Sequence, residues 1–330
     1  MYKGFFVVAL AVAVFLVFGT HIEGAERSTT LEPNPEGEEE KEQEGPITGE
    51  VGDLDLGLDY WMVHGSQSWY KRIPVSYPGP IGRKQVYPVE TDFWVLSAEY
   101  RFLERWSIDA SYGFGDLDKR TGSDRRWFHG YSPLPSMTAI FDNSGDAYFW
   151  IADLNYRVLA KDSSYLDAFL GYQFNKNSFK MKNGWWTTVA YTPVSIPMPP
   201  LMSSYEIEYQ GVRLGLRGEM PLSSNPEWTL EGSVAYLPWL EAEGDGVLNF
   251  GLVQYTQTDG DGEGVDASIA VNYKPAQIPN LAFKVGYRYM ELETKGGNIM
   301  DYTPIGSVPG DWHNGKCKFN GVFFGVGYRF

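Results

Sequence analysis

From residue 51 to its end this chain alternates apolar and polar side chains with a period of two. In Leu54-Asp55-Leu56-Gly57-Leu58-Asp59-Tyr60 the apolar residues share one face of an extended strand and the acids take the other. The same dyad runs through 94–102, 108–114, 148–158, 166–174, 212–216, 228–236, 265–273, 281–289 and 322–330. Most of these ten segments approach the ~9–11 residues of a tilted membrane-spanning strand, and the shorter ones are the clearest parts of longer strands. The stretches between them are informative too. Those at 103–105, 161–164, 221–226 and 275–280 are short, and most are rich in turn residues. Those at 64–92, 116–146, 178–203, 242–263 and 296–317 are long and rich in Gly, Pro, Trp and Asp. Short and long alternate strictly. This predicts an all-β fold: a closed, up-and-down antiparallel transmembrane β-barrel of ten strands, with short periplasmic turns and long extracellular loops. In hydrocarbon every strand must be paired, so the sheet has to close.

Composition and charge sharpen this picture. Aromatics make up 16% of the 330 residues, and charged residues only 21%. After Lys3 an apolar run covers 5–18, shorter than a spanning helix needs, and predicts a secretory signal peptide over 1–24. Residues 25–50 read as a disordered acidic tail, since 31–50 hold eight acids and one lysine. The barrel is expected over 51–330. A formal net charge of −15 argues against nucleic acid as a partner. The single cysteine, Cys317, excludes an intrachain disulfide and a multi-cysteine zinc site, and only four histidines are present. No metal and no cofactor is expected. The Asp-Gly pairs at 245–246, 259–260 and 261–262 read as solvated turns, since no full calcium loop is spelled out. The last strand places Val322, Phe324, Val326, Tyr328 and Phe330 on one face and ends on an aromatic residue, which resembles the assembly signal of bacterial outer-membrane barrels.

Assigning the apolar face to lipid assigns the other face to the lumen. The inward acids are then Asp55, Asp59, Glu99, Asp109, Asp153, Asp167, Glu231 and Asp266, and the inward bases are Arg101, Arg157, Arg213, Arg217, Lys284, Arg288 and Arg329. Eight against seven is near balance. A charge-selective channel would favour one sign, so the reading is a salt-bridged plug.

Several motifs occur in an order that resembles the omptin family, ten-stranded outer-membrane endopeptidases. They are Gly171-Tyr172-Gln173 followed by Ser178-Phe179 and Gly184, then Tyr205 with Leu214-Gly215-Leu216, then Trp239-Leu240-Glu241 and Asn272-Tyr273. The resemblance covers about residues 90–330. It implies two acidic pairs across the barrel mouth, an Asp-x-Asp before a Trp and an Asp-x-His, in which a carboxylate-held imidazole takes a proton from water. The first aligns with Asp124-Arg125-Arg126-Trp127, where arginine replaces the second acid. The second aligns with Gly246-Val247-Leu248, where Asp and His are both missing, and no histidine occurs between His129 and His313. Proteolysis is therefore not expected to carry over. The alternative is a diverged hydrolase built from Asp116, Asp118, Asp124 and Asp245, with His64, His129 or His313 reaching across.

Omptins, as the resemblance implies, also bind lipopolysaccharide on the outer wall. Tyr172 matches one member of that site and Lys176 stands for an arginine, but Phe174 replaces an acid and Glu208 falls where a second arginine would sit. The expected partners are outer-membrane lipid, lipopolysaccharide included, and an extracellular ligand on the long loops. Those loops carry the aromatics Trp69, Tyr70, Tyr77, Tyr87, Trp127, Phe128, Tyr131, Trp185, Trp186, Tyr191 and Trp312. The expectation is a structural or surface-binding outer-membrane barrel, with an endopeptidase and a small passive pore as alternatives.

Overall fold

Strands account for most of the chain in a computed structural model, which describes residues 51–72, 82–127, 134–161, 163–198, 203–223, 227–248, 253–304 and 306–330. The leader and tail expected over 1–50 lie outside the described residues. The strands are β1 (Leu54–Arg72), β2 (Gly82–Leu103), β3 (Trp106–Trp127), β4 (Met137–Lys161), β5 (Ser164–Val189), β6 (Thr192–Pro197), β7 (Ser203–Pro221), β8 (Trp228–Leu248), β9 (Val253–Tyr273), β10 (Leu281–Thr303) and β11 (Gly306–Arg329). All pairings are antiparallel between chain neighbours, except that β5 pairs directly with β7, and β1 with β11 closes the ring. Ten strands form that ring. The short β6 hairpins back on the tip of β5 through Ala190 and Tyr191, whose φ values of 48° and 64° suit a tight two-residue turn.

The ring strands are 19–26 residues long, about twice what a bilayer requires. The sequence accounts for this with a change of phase. Along β1 the outward positions are Leu54, Leu56, Leu58, Tyr60 and Met62, then His64, Ser66, Ser68, Tyr70 and Arg72. The inward positions are Asp55, Gly57 and Asp59, then Trp61, Val63, Gly65, Gln67, Trp69 and Lys71. β2 repeats the change, with Leu96 and Trp94 giving way outside to Asp92 and Glu90, and Glu99 and Ser97 giving way inside to Val95 and Phe93. The lower half is thus apolar outside and polar inside, and the upper half is the reverse. A strand crossing hydrocarbon and then entering water needs that inversion.

The stretches expected as long loops mostly continue as strands. Gly, Pro and Asp suggested turns there, but register shifts absorb them. Pro88, for example, lies where β2 and β3 are out of register between Val86 and Thr91, so its missing N–H breaks no ladder bond to β3.

The outward belt includes Leu170, 58% exposed, and Ile269, 54% exposed. If this belt faces hydrocarbon, Leu170→Arg is expected to destabilise the folded barrel by about 2–4 kcal/mol. Urea unfolding in lipid vesicles measures it. An unchanged midpoint would mean that Leu170 faces water.

Candidate functional site

The lower lumen holds the expected charge network. Asp167 accepts hydrogen bonds from Arg157 Nε at 2.7 Å and Nη2 at 3.1 Å. Arg217 reaches Glu99 at 2.6 Å, Asp167 at 3.3 Å and Asp109 at 3.5 Å, and Arg101 stands 3.7 Å from Glu99. Arg288 binds Asp266 through two bonds of 2.7 and 3.0 Å, while Arg213 bridges Asp266 at 3.7 Å and Asp153 at 3.5 Å. Lys284 lies 3.9 Å from Asp59, Glu231 accepts from Asn272 at 3.0 Å, and Arg329 forks onto Asp55 at 2.7 and 2.9 Å. All fifteen side chains thus lie where the alternation places them, around a polar chamber of about 180 Å³ or between it and the periplasmic rim.

Above the chamber four buried rings pack together inside the barrel. Trp61, Phe93, Phe149 and Phe319 come from β1, β2, β4 and β11, and Phe93 stands 5.6, 5.4 and 5.8 Å from the other three. Arg288 caps Trp61 and Phe149 at 5.0 Å, joining this layer to the charges beneath.

A second aromatic column fills the extracellular half. Tyr87 stacks on Phe179 at 4.6 Å and Tyr205 at 5.2 Å, and Trp69 packs on Tyr255 at 5.5 Å. Their hydroxyls are satisfied by amides: Tyr205 donates to Gln257 at 2.9 Å, Tyr87 to Gln85 at 2.5 Å, and Gln67 donates to Tyr209 at 2.8 Å. Burial holds the phenols of Tyr87, Tyr205, Tyr209 and Tyr255 above their ordinary pKa, so they stay neutral. Burial likewise pushes the Cys317 thiol up to about 12. Trp69, Tyr87 and Trp312, expected among the exposed loop aromatics, are instead buried inside. Of the rest, Tyr77, Phe128 and Tyr131 lie outside the described residues. The signal for the column was in the sequence: the alternation continues past residue 61 with unchanged parity and exchanged polarity.

The column ends in a charged clamp. Arg83 donates Nε to Asp124 Oδ1 at 3.0 Å and Nη2 to Oδ2 at 2.7 Å, and Arg126 donates to the same Oδ2 at 2.9 and 3.2 Å. Burial pushes the Asp124 carboxyl up, but Arg126 and then Arg83 outweigh it and hold it at about 2. Beside it Lys71 is buried against Asp301 at 2.5 Å. Both Asp124 oxygens are therefore engaged by guanidinium groups, and a carboxylate so held is a poor proton acceptor.

The four acids of the diverged-hydrolase alternative are not brought together. Asp124 points inward, whereas Asp116, Asp118 and Asp245 are exposed on the outer wall, Asp116 opposite Asp146 and Asp245 opposite Glu206. Asp116 and Asp118 share the even parity of Asp124, and it is the register shift between Leu117 and Arg120 that turns β3 over, so that Asp124 faces the lumen while they face outward. At Gly246, where the resemblance calls for an acid, a Cβ would collide with the Tyr255 ring. His64 lies 3.8 Å from Glu90 and His313 is opposite Tyr70, while His129 is outside the described residues.

Of the lipid-contact candidates, Tyr172 is exposed in the aromatic belt and stacks on Trp150 at 5.7 Å. Lys176 is engaged by Glu206 at 2.5 Å and Glu208 at 2.9 Å, so a lipid phosphate would have to displace two carboxylates to reach it.

No curated protein matches this chain. Among solved structures, the outer membrane protease OmpT from Escherichia coli superposes with a TM-score of 0.73 at 16% identity, covering 84% of this chain and 97% of that one. The transport unit of the autotransporter AIDA-I from Escherichia coli matches at 0.40 with 10% identity over 95% and 97%. The translocator domain of the autotransporter NalP from Neisseria meningitidis matches at 0.37 with 12% identity over 86% and 90%. The Omptin family profile matches residues 94–305, more than half of the sequence. With the ring of strands, the apolar belt and this match in agreement, the chain belongs to the omptin family and forms an outer-membrane β-barrel.

Proposed function

We propose that this barrel is a non-catalytic, structural or surface-binding member of its family, exported by the segment over 1–24. One observation carries the reading. The upper lumen, where the resemblance calls for facing acidic pairs, is packed with buried Trp69, Tyr87, Tyr205 and Tyr255, its inward acid Asp124 is clamped by two arginines, and Asp301 beside it is held by Lys71. A water molecule activated for attack needs a base with a free lone pair and room to approach.

Incubating the refolded, full-length barrel with peptides containing paired basic residues is expected to give no cleavage. Clean cleavage that disappears in Asp124→Asn would overturn the proposal and favour the hydrolase. In a planar bilayer the protein is expected to pass no steady current, because Trp61, Phe93, Phe149 and Phe319 belong to one buried cluster that continues up the lumen through Tyr87, Tyr205 and Tyr255. Stepwise single-channel openings would favour the pore instead.

A further inference from the structure

The outer wall above the membrane is electrically divided. On one side, β8 and β9 contain no lysine or arginine, and with β7 they present Glu206, Glu208, Glu241, Glu243, Asp245 and Asp261 to water. On the other side, the tips of β1, β2 and β3 present Arg72, Lys84 and Arg125, all exposed. Lys84 and Arg125 stand directly opposite one another in register, and Asp311 is the acid opposite Arg72. None of the three cations makes an ion pair among the described residues. Like charges facing each other across neighbouring strands are destabilising, so this pairing lacks the local acid that would offset it.

Between the cations lies an aromatic platform. Tyr70, opposite Lys84, lies over Gly82, where a Cβ would meet its hydroxyl at 2.5 Å. Its ring centroid is 6.1 Å from that of Trp127, the register partner of Gly82. Both rings are half-buried, leaving part of each in water. Guanidinium and ammonium groups bind sulfate or phosphate oxygens, and the electron-rich ring face receives the C–H bonds of a sugar. Height decides the source of such a ligand. From Phe114 in the outer aromatic belt to Arg125, β3 climbs about 25–30 Å once strand tilt is allowed for. The headgroup layer is only about 5–8 Å thick, so lipid phosphates lie far below.

Resting on the surface-binding reading above, we propose that Arg72, Lys84 and Arg125, with Tyr70 and Trp127, form a docking platform for a polyanionic glycan presented from outside the cell. Flat sugar rings use the aromatic pair and their anionic substituents use the cations. The acidic β7–β9 wall repels the same ligand and so fixes which side it approaches.

The test is calorimetric titration of the refolded full-length barrel with a heparin-derived hexasaccharide at 150 mM salt. Binding is expected. In Lys84→Glu/Arg125→Glu it should weaken on the order of tenfold or more, and in Tyr70→Leu it should weaken to a lesser extent. Heat-modifiable mobility on gels checks that both variants fold. A neutral dextran oligosaccharide should not bind. No binding of the hexasaccharide, or equal binding to the charge-reversed variant, overturns the platform. Polyglutamate binding as tightly at the same residues would make the partner an acidic protein and overturn the glycan. Lipopolysaccharide competing fully would return the ligand to the membrane and also overturn it. Cleavage of the basic peptides alongside intact glycan binding would remove the non-catalytic reading and leave this inference standing. No cleavage with no glycan binding would do the opposite.

Discussion

Asn in place of Asp124 is expected to lower the stability of the barrel by about 3–5 kcal/mol, because it leaves buried guanidinium charge without its counter-ion. Asp124 is 4% exposed, Arg83 is 7% exposed, and together with Arg126 they tie β2 to β3 at the top of the lumen. The pH dependence has a definite sign. A carboxyl whose folded pKa is depressed to about 2 stabilises the fold fully above its unfolded value near 3.8. That contribution is lost as pH falls through about 2. The gap between wild type and Asp124→Asn should therefore be constant from neutral pH to about pH 4 and narrow below it. Urea midpoints read from gel mobility across this range measure it. A change under ~1 kcal/mol at pH 7 would mean the clamp is dispensable, and the site would then look more like a catalytic relic held for chemistry than a structural tie.

The second large effect is expected at Trp61. Truncation to alanine should lose about 3–5 kcal/mol, the usual range for removing a large aromatic from a packed interior. Trp61 is 1% exposed, its Nε1 donates to Gly321 O at 3.2 Å, and its ring meets Phe93, Phe149, Phe319 and the Arg288 guanidinium. Trp94 is the control. It sits opposite Tyr60 on the outer face, 46% exposed, and Trp94→Ala should be distinctly milder. Equal losses at the two tryptophans would contradict the assignment of inner and outer faces. The upper column of Tyr87, Tyr205 and Tyr255 remains in Trp61→Ala, so the variant should still pass no steady current.

Much of the barrel was legible in the sequence because a strand exposes its environment at every second residue. Leu56 and Leu58 against Asp55 and Asp59 already separate lipid from lumen. The short turns at 103–105 and 161–164 show which strand ends share a side. The absence of an imidazole between His129 and His313, and Arg126 in place of an acid, were equally readable. The upper half was harder. Trp69, Tyr87 and Trp312 lie in stretches whose Gly, Pro and Asp content suggests exposed loops, and it is pairing between strands that makes their side an interior face.

Residue order alone thus determined that the chain closes into a membrane barrel, because period-two polarity is a local property that solvent on the two faces imposes. It also determined which chemistry-bearing residues are missing. Only the tertiary structure decided that the wall continues far above the membrane, that Asp116, Asp118 and Asp245 turn away from Asp124, and that Arg83 and Arg126 converge on it from two strands. Those outcomes depend on register between strands, where a shift of one residue moves a side chain from lumen to water, and register is fixed by packing across the ring and not by any strand alone.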